Sequence, residues 1–113
     1  MEAPVFDLDT VSEDAAPAQL RATVHGRVQG VGFRAFTRRH ARRLRLSGQV
    51  QNEPNGTVTV VAEGPGRALR ELVRALHDGP PAARVDDVAW EWDEPAGACG
   101  GFEIAYGRTI AAV

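Results

Sequence analysis

With 113 residues, the chain is long enough for one hydrophobic core and too short for two. All 13 of its basic residues are arginine and it has a single cysteine, which excludes a Schiff-base lysine, an internal disulfide and a thiolate metal cluster. The net charge is -2, but it is unevenly distributed. Residues 1–18 contain acidic residues and no basic one, so the remaining chain has 13 arginines against 10 acids, a net charge of +3. That mildly basic balance suits a small anionic ligand better than a polyanion.

The two ends of the chain differ in composition from the middle. Residues 1–18 are acidic and rich in alanine and proline, which predicts a mobile N-terminal tail. A folded domain is expected over residues 19–107, followed by a C-terminal tail over 108–113. The start of the chain lacks the pattern of a signal peptide, and no apolar run reaches membrane-spanning length. We therefore expect a cytoplasmic protein.

Hydrophobic periodicity predicts the order of the secondary structure elements. Alternating apolar residues indicate strands, and apolar residues three to four positions apart indicate amphipathic helices. Asn55-Gly56 joins two strands, because both residues tolerate positive φ in a tight hairpin. The predicted elements are a strand over 20–26, a helix over 33–44, strands over 46–53 and 57–63, a helix over 66–78, and strands over 84–93 and 102–106. This order predicts an α+β split βαβ sandwich, an antiparallel sheet of about five strands with two helices on one face.

A glycine-rich segment, residues 26–32, lies between the first strand and the first helix. Unpaired amides at the start of a helix, together with the helix dipole, form a binding site for anions. Arg34 adds a guanidinium group that matches phosphate oxygens, although an arginine on the helix surface is the alternative. Glycine content alone is also compatible with a plain turn. The GxGxxA pattern at residues 30–35 does not indicate dinucleotide binding, because a hairpin follows where that fold needs parallel crossovers.

Two segments resemble the signatures of the acylphosphatase family, VHGRVQGVGFR at residues 24–34 and LSGQVQN at residues 46–52. Shorter similarities at residues 55–58, 62–64 and 79–85 follow in the family's order, so the resemblance covers residues 20–106. It implies a ferredoxin-like fold and a hydrolase that splits the carboxyl–phosphate anhydride of acyl phosphates by water attack on phosphorus. It also implies an enzyme that uses no metal and no other cofactor.

The resemblance assigns roles to particular residues. Arg34 is expected to bind phosphate and Asn52 to orient the attacking water, and these are the two predicted catalytic residues. One position departs from the family, since Gln49 stands where a tryptophan is usual, and we expect it to alter local stability more than activity. The predicted phosphate-binding set is the loop and the arginine after it: Gly26, Arg27, Val28, Gln29, Gly30, Val31, Gly32 and Arg34.

The predicted chemistry is consistent with these residue types. A carboxylate whose conjugate acid has a pKa of about 4 leaves without help from a general acid. Phosphoryl transfer depends mainly on positioning and on neutralising the phosphoryl oxygens, which loop amides and Arg34 can do. The expected partners are a small acyl phosphate as substrate and inorganic phosphate as product or inhibitor, with neither nucleic acid nor membrane. A monomer is expected.

Two other functions stay open. The same loop would serve a non-catalytic accessory domain that binds phosphate or another anion. The same topology serves RNA recognition, but the expected central strands, 20–26 and 57–63, contain none of the aromatic residues that stack on bases. Individual residues also have plainer alternatives. Asn52 could open a turn, Thr57 could bond to Asn52 or be an ordinary strand residue, and Tyr106 is expected in the core or at its rim.

Overall fold

The structure, a computed structural model, describes residues 15–97 and 100–106. Most of the predicted N-terminal tail, Cys99 and the predicted C-terminal tail lie outside these residues. No helix in the described ranges is long and apolar enough to cross a membrane. The strands are β1 (Pro17–Arg27), β2 (Ser47–Asn52), β3 (Val58–Pro65), β4 (Arg84–Asp93) and β5 (Phe102–Ile104), and the helices are α1 (Phe33–Arg43) and α2 (Gly66–Asp78).

The five strands form one sheet in the order β4-β1-β3-β2-β5. The antiparallel pairs β1–β3, β1–β4 and β2–β3 confirm the predicted sandwich. β5 differs, because it pairs in parallel with β2, with Gly48 opposite Phe102. The sheet is therefore mixed, and the expectation of a wholly antiparallel sheet is wrong in this strand. The reason is topological, since the chain leaves β4 at one edge and enters β5 at the other, running in the direction of β2.

Strand β1 begins earlier than composition predicts. Pro17 and Ala18 are assigned to the tail by their sequence, yet both belong to β1 and lie opposite Pro65 and Gly64 of β3. Proline is tolerated at the first position of a strand, where its missing N–H costs no central ladder bond. The partner strand is far away in the sequence, so the local composition does not reveal this extension.

The hydrophobic core lies between the sheet and the two helices. Alternate residues of β1 point into it, and Leu20, Ala22 and Val24 are fully buried. Burying a large apolar side chain contributes about 1.5–3 kcal/mol, so this layer fixes the helices on the sheet. The helices supply the facing side chains: Phe33 and Ala41 from α1, and Leu69, Leu72 and Leu76 from α2.

The register of β2 decides on which side of the sheet its last residue lies. Val50 lies opposite Val60 and Asn52 lies opposite Val58, and all three valines are fully buried beneath the helices. Side chains alternate along a strand, so Gln49 faces the opposite side of the sheet. Asn52 therefore ends β2 on the face that carries α1.

Candidate active site

The loop between β1 and α1 has the backbone form that an anion site needs. Gly30 and Gly32 have φ angles of 76° and 82°, in the left-handed region that favours glycine. Gly32 is the N-cap of α1, and it offers no side chain to bond the first amides of the helix. The first turn of α1 carries no acidic residue. No side-chain cap from Gly32 competes with an anion at this helix start, and anion binding by the first amides of α1 stays a prediction.

Gly26, at the other end of the predicted loop, lies in a different environment. It belongs to β1, next to an irregularity in the pairing with β4. A Cβ atom on Gly26 would lie 2.1 Å from the carbonyl oxygen of Arg84 and 2.8 Å from the nitrogen of Asp86. This glycine is thus required for the close approach of two strands, and its part in phosphate binding stays a prediction. Arg27 likewise belongs to β1 and pairs with Arg84.

Gln29 connects the loop to the β2–β3 hairpin. Its side-chain nitrogen donates to the main-chain oxygens of Glu53 at 2.8 Å and Thr57 at 2.9 Å. The hairpin is closed by Asn55, whose Oδ1 accepts from the amide of Thr57 at 3.1 Å and from its hydroxyl at 2.7 Å. Thr57 is therefore bonded to Asn55, and the bond to Asn52 considered from the sequence is not formed. The two Gln29 bonds hold the loop beside the end of β2.

A small cavity of about 150 Å³ opens where the loop, the start of α1 and the end of β2 meet. Both predicted catalytic residues, Arg34 and Asn52, line it. The Oδ1 atom of Asn52 is buried and has no hydrogen-bond partner among the described residues. An unsatisfied buried acceptor is costly, so its presence marks a position where a ligand or water would be bound. The full lining is Val28, Gly30, Gly32, Phe33, Arg34, Ala35, Asn52, Ile104 and Tyr106.

The remaining residues of the predicted phosphate-binding set do not line this cavity. Val31 is half-buried and packs against the core, and the side chain of Gln29 is occupied by the hairpin. With Gly26 and Arg27 placed in β1, the cavity brings together four of the eight predicted residues: Val28, Gly30, Gly32 and Arg34. The phosphate-binding roles of these residues stay predictions.

Tyr106 is a site residue that the sequence reasoning missed. It is 75% exposed, not buried in the core, and its ring centroid lies 5.3 Å from the guanidinium carbon of Arg34. The parallel pairing of β5 with β2 explains this position. Val50 lies opposite Ile104, so the residues two positions further along each segment, Asn52 and Tyr106, come close to each other. Nothing local in the sequence reveals that pairing, although the spacing of Phe102, Ile104 and Tyr106 shows that they share one face.

The electrostatics of the cavity favour an anion. Its lining contains one cation, Arg34, an uncharged amide, Asn52, and no carboxylate. The positive end of the α1 dipole points into the same space. Among residues 15–97 and 100–106, no cluster of three histidine, cysteine or acidic side chains has the arrangement to hold a metal ion.

Known proteins match both the sequence and the fold. The Acylphosphatase family model matches residues 20–104. An acylphosphatase of Salinibacter ruber is 49% identical over 92 residues, which cover 81% of this chain and 97% of that protein. The chain belongs to the acylphosphatase family. A Thermus thermophilus acylphosphatase, 52% identical over 79 residues, covers 70% of this chain, and the match covers 90% of the relative.

Solved structures of the family agree with the fold. The crystal structure of acylphosphatase from Bacillus subtilis superposes with a TM-score of 0.76 at 39% identity, covering 79% of this chain and 99% of that one. Full-length HypF also contains a similar segment, with a TM-score of 0.73 at 26% identity, but the match covers only 12% of that chain. The predictions of a ferredoxin-like fold and of an acylphosphatase hydrolase are confirmed.

Membership of the acylphosphatase family places both signature segments in one structural context. The first supplies the loop and Arg34, and the second ends at Asn52, so the two meet at the cavity. The departing residue, Gln49, is exposed and faces the side of the sheet away from that cavity. The departure from the family pattern is therefore separated from the predicted catalytic residues by the sheet itself.

Proposed function

We propose that this protein hydrolyses acyl phosphates to a carboxylate and inorganic phosphate, with the phosphoryl group held by the loop and Arg34. The observation that carries the proposal is the buried Oδ1 of Asn52, which lacks a partner among the described residues and lines the same cavity as Arg34. An amide oxygen in this position accepts a hydrogen bond from water and so aims the water's lone pair at phosphorus.

The reaction balances without a further reactant. The water oxygen forms a new bond to phosphorus while the bond from phosphorus to the acyl oxygen breaks. The electron pair of the broken bond leaves with the carboxylate, and one proton of the water is released. Because the conjugate acid of the leaving group has a pKa of about 4, the departure needs no general acid. Asn52 does not have to remove the proton before attack, since phosphoryl transfer makes modest demands on the nucleophile.

Electrostatic stabilisation is the larger part of the proposed catalysis. The three equatorial oxygens of the phosphoryl group would lie between the guanidinium of Arg34 and the free amides at the start of α1. The amides are fixed before substrate arrives because they belong to the first turn of the helix, and the guanidinium of Arg34 already contacts the ring of Tyr106. Prepositioned donors of this kind lower the barrier because they need not reorganise during the reaction.

We also propose the finer features of this function. The small cavity fits a small acyl phosphate, and inorganic phosphate should bind there as product and inhibitor. The proposed enzyme is a monomer and uses no metal or other cofactor, because Arg34 and the loop amides supply the groups that neutralise the phosphoryl oxygens. We further propose a cytoplasmic location.

The test is release of inorganic phosphate from benzoyl phosphate with a chelator present. We expect turnover well above the spontaneous rate, and a fall of about 10²-fold or more in both Arg34→Ala and Asn52→Ala. The matched control is Arg38→Ala, which removes an arginine one turn further along α1 and should retain activity. A folded wild-type protein that only matches the spontaneous rate would refute the hydrolase. Phosphate binding without turnover would then favour the accessory anion-binding domain.

A further inference from the structure

We infer that Tyr106 and Ile104 form the binding surface for the acyl group, and that Tyr106 makes the enzyme prefer substrates with an aromatic acyl group. The inference rests on the proposed function and adds the part of the substrate that is not phosphate. It begins with two lining residues of the cavity that come from neither the loop nor α1. Ile104 is the last residue of β5 and Tyr106 lies two residues beyond it, and both line the same cavity as Arg34 and Asn52.

The depth of the residues sets the direction of the substrate. The Oδ1 of Asn52 is buried, and we place the proposed water beside it, at the inner end of the cavity. Tyr106 is 75% exposed and lies at the mouth. In an in-line displacement the leaving oxygen departs on the side opposite the attacking water. A water at the inner end therefore directs the carboxylate, and the acyl group attached to it, towards the mouth and Tyr106.

The environment of Tyr106 suits it to hold a flat apolar group. The guanidinium carbon of Arg34 lies 5.3 Å from its ring centroid, which fixes the orientation of an otherwise exposed ring. The high exposure of Tyr106 leaves ring surface available to a ligand. Ile104 lies two residues earlier, partly buried against the core, and extends the apolar surface inward. Aromatic rings stack on such surfaces in offset or edge-to-face geometry, which an acetyl group cannot do.

A second role for Tyr106 must be separated from this one. Its contact with Arg34 could act only by holding the guanidinium in place, which would affect every substrate alike. An acyl-binding surface instead changes the ratio between substrates that share the phosphoryl group and differ in the acyl group. The binding of inorganic phosphate, which has no acyl group, reports on the phosphate-binding groups, Arg34 among them. These measurements therefore distinguish the two roles.

The experiment compares kcat/KM for benzoyl phosphate and acetyl phosphate, and the inhibition constant of inorganic phosphate, in wild type, Tyr106→Phe and Tyr106→Ala. We expect Tyr106→Ala to lower the benzoyl-to-acetyl ratio by roughly 3- to 10-fold, and Tyr106→Phe to retain it, because the ring carries the stacking. The inhibition constant of phosphate should stay within about twofold of wild type. Trp90→Ala removes another exposed aromatic residue, on the edge strand β4, and serves as the matched control.

Two outcomes would overturn the inference. An unchanged ratio, with both substrates and phosphate weakened together, would show that Tyr106 only positions Arg34. An unchanged ratio with no loss at all would show that Tyr106 does not contact the substrate. Failure of the proposed function is a separate result, because the wild-type protein would then hydrolyse neither substrate. Thermal unfolding of each variant checks that a lower benzoyl-to-acetyl ratio does not come from a folding defect.

Discussion

The side-chain amide of Gln29 lies 2.9 Å from the main-chain oxygen of Thr57, and it makes a second bond of 2.8 Å to the oxygen of Glu53. One glutamine thus joins the proposed phosphate loop to the hairpin that follows Asn52. The two halves of the cavity come from segments more than twenty residues apart, and these bonds set their spacing. Catalysis by positioning is sensitive to such spacing, since a displacement of about 1 Å can cost 10²-fold in rate.

We predict that Gln29→Leu lowers kcat by about tenfold or more with a smaller change in the affinity for inorganic phosphate. Each of the two carbonyl oxygens keeps another donor in this variant. The main-chain N–H of Gly56 donates to the oxygen of Glu53, and the main-chain N–H of Glu53 donates to the oxygen of Thr57. The loss of stability should therefore be modest, about 1–2 kcal/mol. Gln29→Glu should be more damaging than Gln29→Leu, because a carboxylate would face two carbonyl oxygens.

The control for Gln29 is Gln49→Leu, which makes the same substitution on the opposite face of the sheet. It should leave kcat near that of wild type. Stopped-flow or steady-state kinetics and urea unfolding on the same preparations give both quantities. If Gln29→Leu loses stability but keeps full turnover per folded molecule, the side chain is a structural link with no effect on positioning.

A second prediction separates two glycines of the same signature. In Gly26→Ala the new Cβ would lie 2.1 Å from a backbone oxygen of β4, at a φ of 131°, so β1 and β4 would have to separate. We expect a loss of about 3 kcal/mol or more. In Gly30→Ala nothing lies within 4 Å of the new Cβ, and only the left-handed φ of 76° is unfavourable. The expected loss is about 1–2 kcal/mol.

The two alanine variants should also differ in function. Gly26→Ala should lose activity in proportion to the fraction unfolded. Gly30→Ala should stay folded with weakened phosphate binding, because Gly30 lines the cavity and the strained φ would shift the loop. Urea unfolding monitored by tryptophan fluorescence, together with phosphate inhibition, measures both effects. Equal stability losses in the two variants would contradict the assignment of Gly26 to the strand contact.

The sequence reveals the parts of this protein that depend on local chemistry. The Asn55-Gly56 hairpin, the amphipathic helices and the glycine-rich helix start each rest on neighbouring residues, and each is found as predicted. Contacts between distant segments are not visible in this way. The parallel pairing of β5 with β2 places Tyr106, expected in the core or at its rim, at the mouth of the cavity. The two hydrogen bonds from Gln29 to the hairpin are equally hidden, since the sequence shows this residue only as part of a loop.

The third prediction concerns the stability of Asn52 variants. In the proposed reaction the Oδ1 of Asn52 accepts from a bound water and has no protein partner among the described residues, so Asn52→Ala removes no hydrogen bond that this oxygen makes within the fold. Because the side chain lines the cavity, the variant should have a free energy of unfolding close to that of wild type. Activity should nevertheless be lost. Differential scanning calorimetry tests this, and Val50→Ala, a truncation of a fully buried neighbour on the same strand face, should destabilise clearly.

A marked loss of stability in Asn52→Ala, similar to that of Val50→Ala, would mean that the amide is a structural group of the fold. That result would also weaken its proposed role, because a side chain retained for packing need not face a water. The combination of retained stability and lost turnover is characteristic of residues kept for function at the expense of folding.

The last prediction concerns Gln49, where the family usually has tryptophan. Gln49 is exposed and lies opposite Val61 of β3 and Glu103 of β5, on the face of the sheet away from Asn52. In Gln49→Trp the indole would stand opposite Val61, and a cross-strand pair of an aromatic and a β-branched residue contributes about 0.2–1 kcal/mol. We expect a corresponding rise in the free energy of unfolding and turnover within about twofold of wild type. Gln49→Ala, which adds no ring, should show no such gain. A large change in kcat in Gln49→Trp would show instead that this face of the sheet is coupled to the cavity, through the strand that the two residues share.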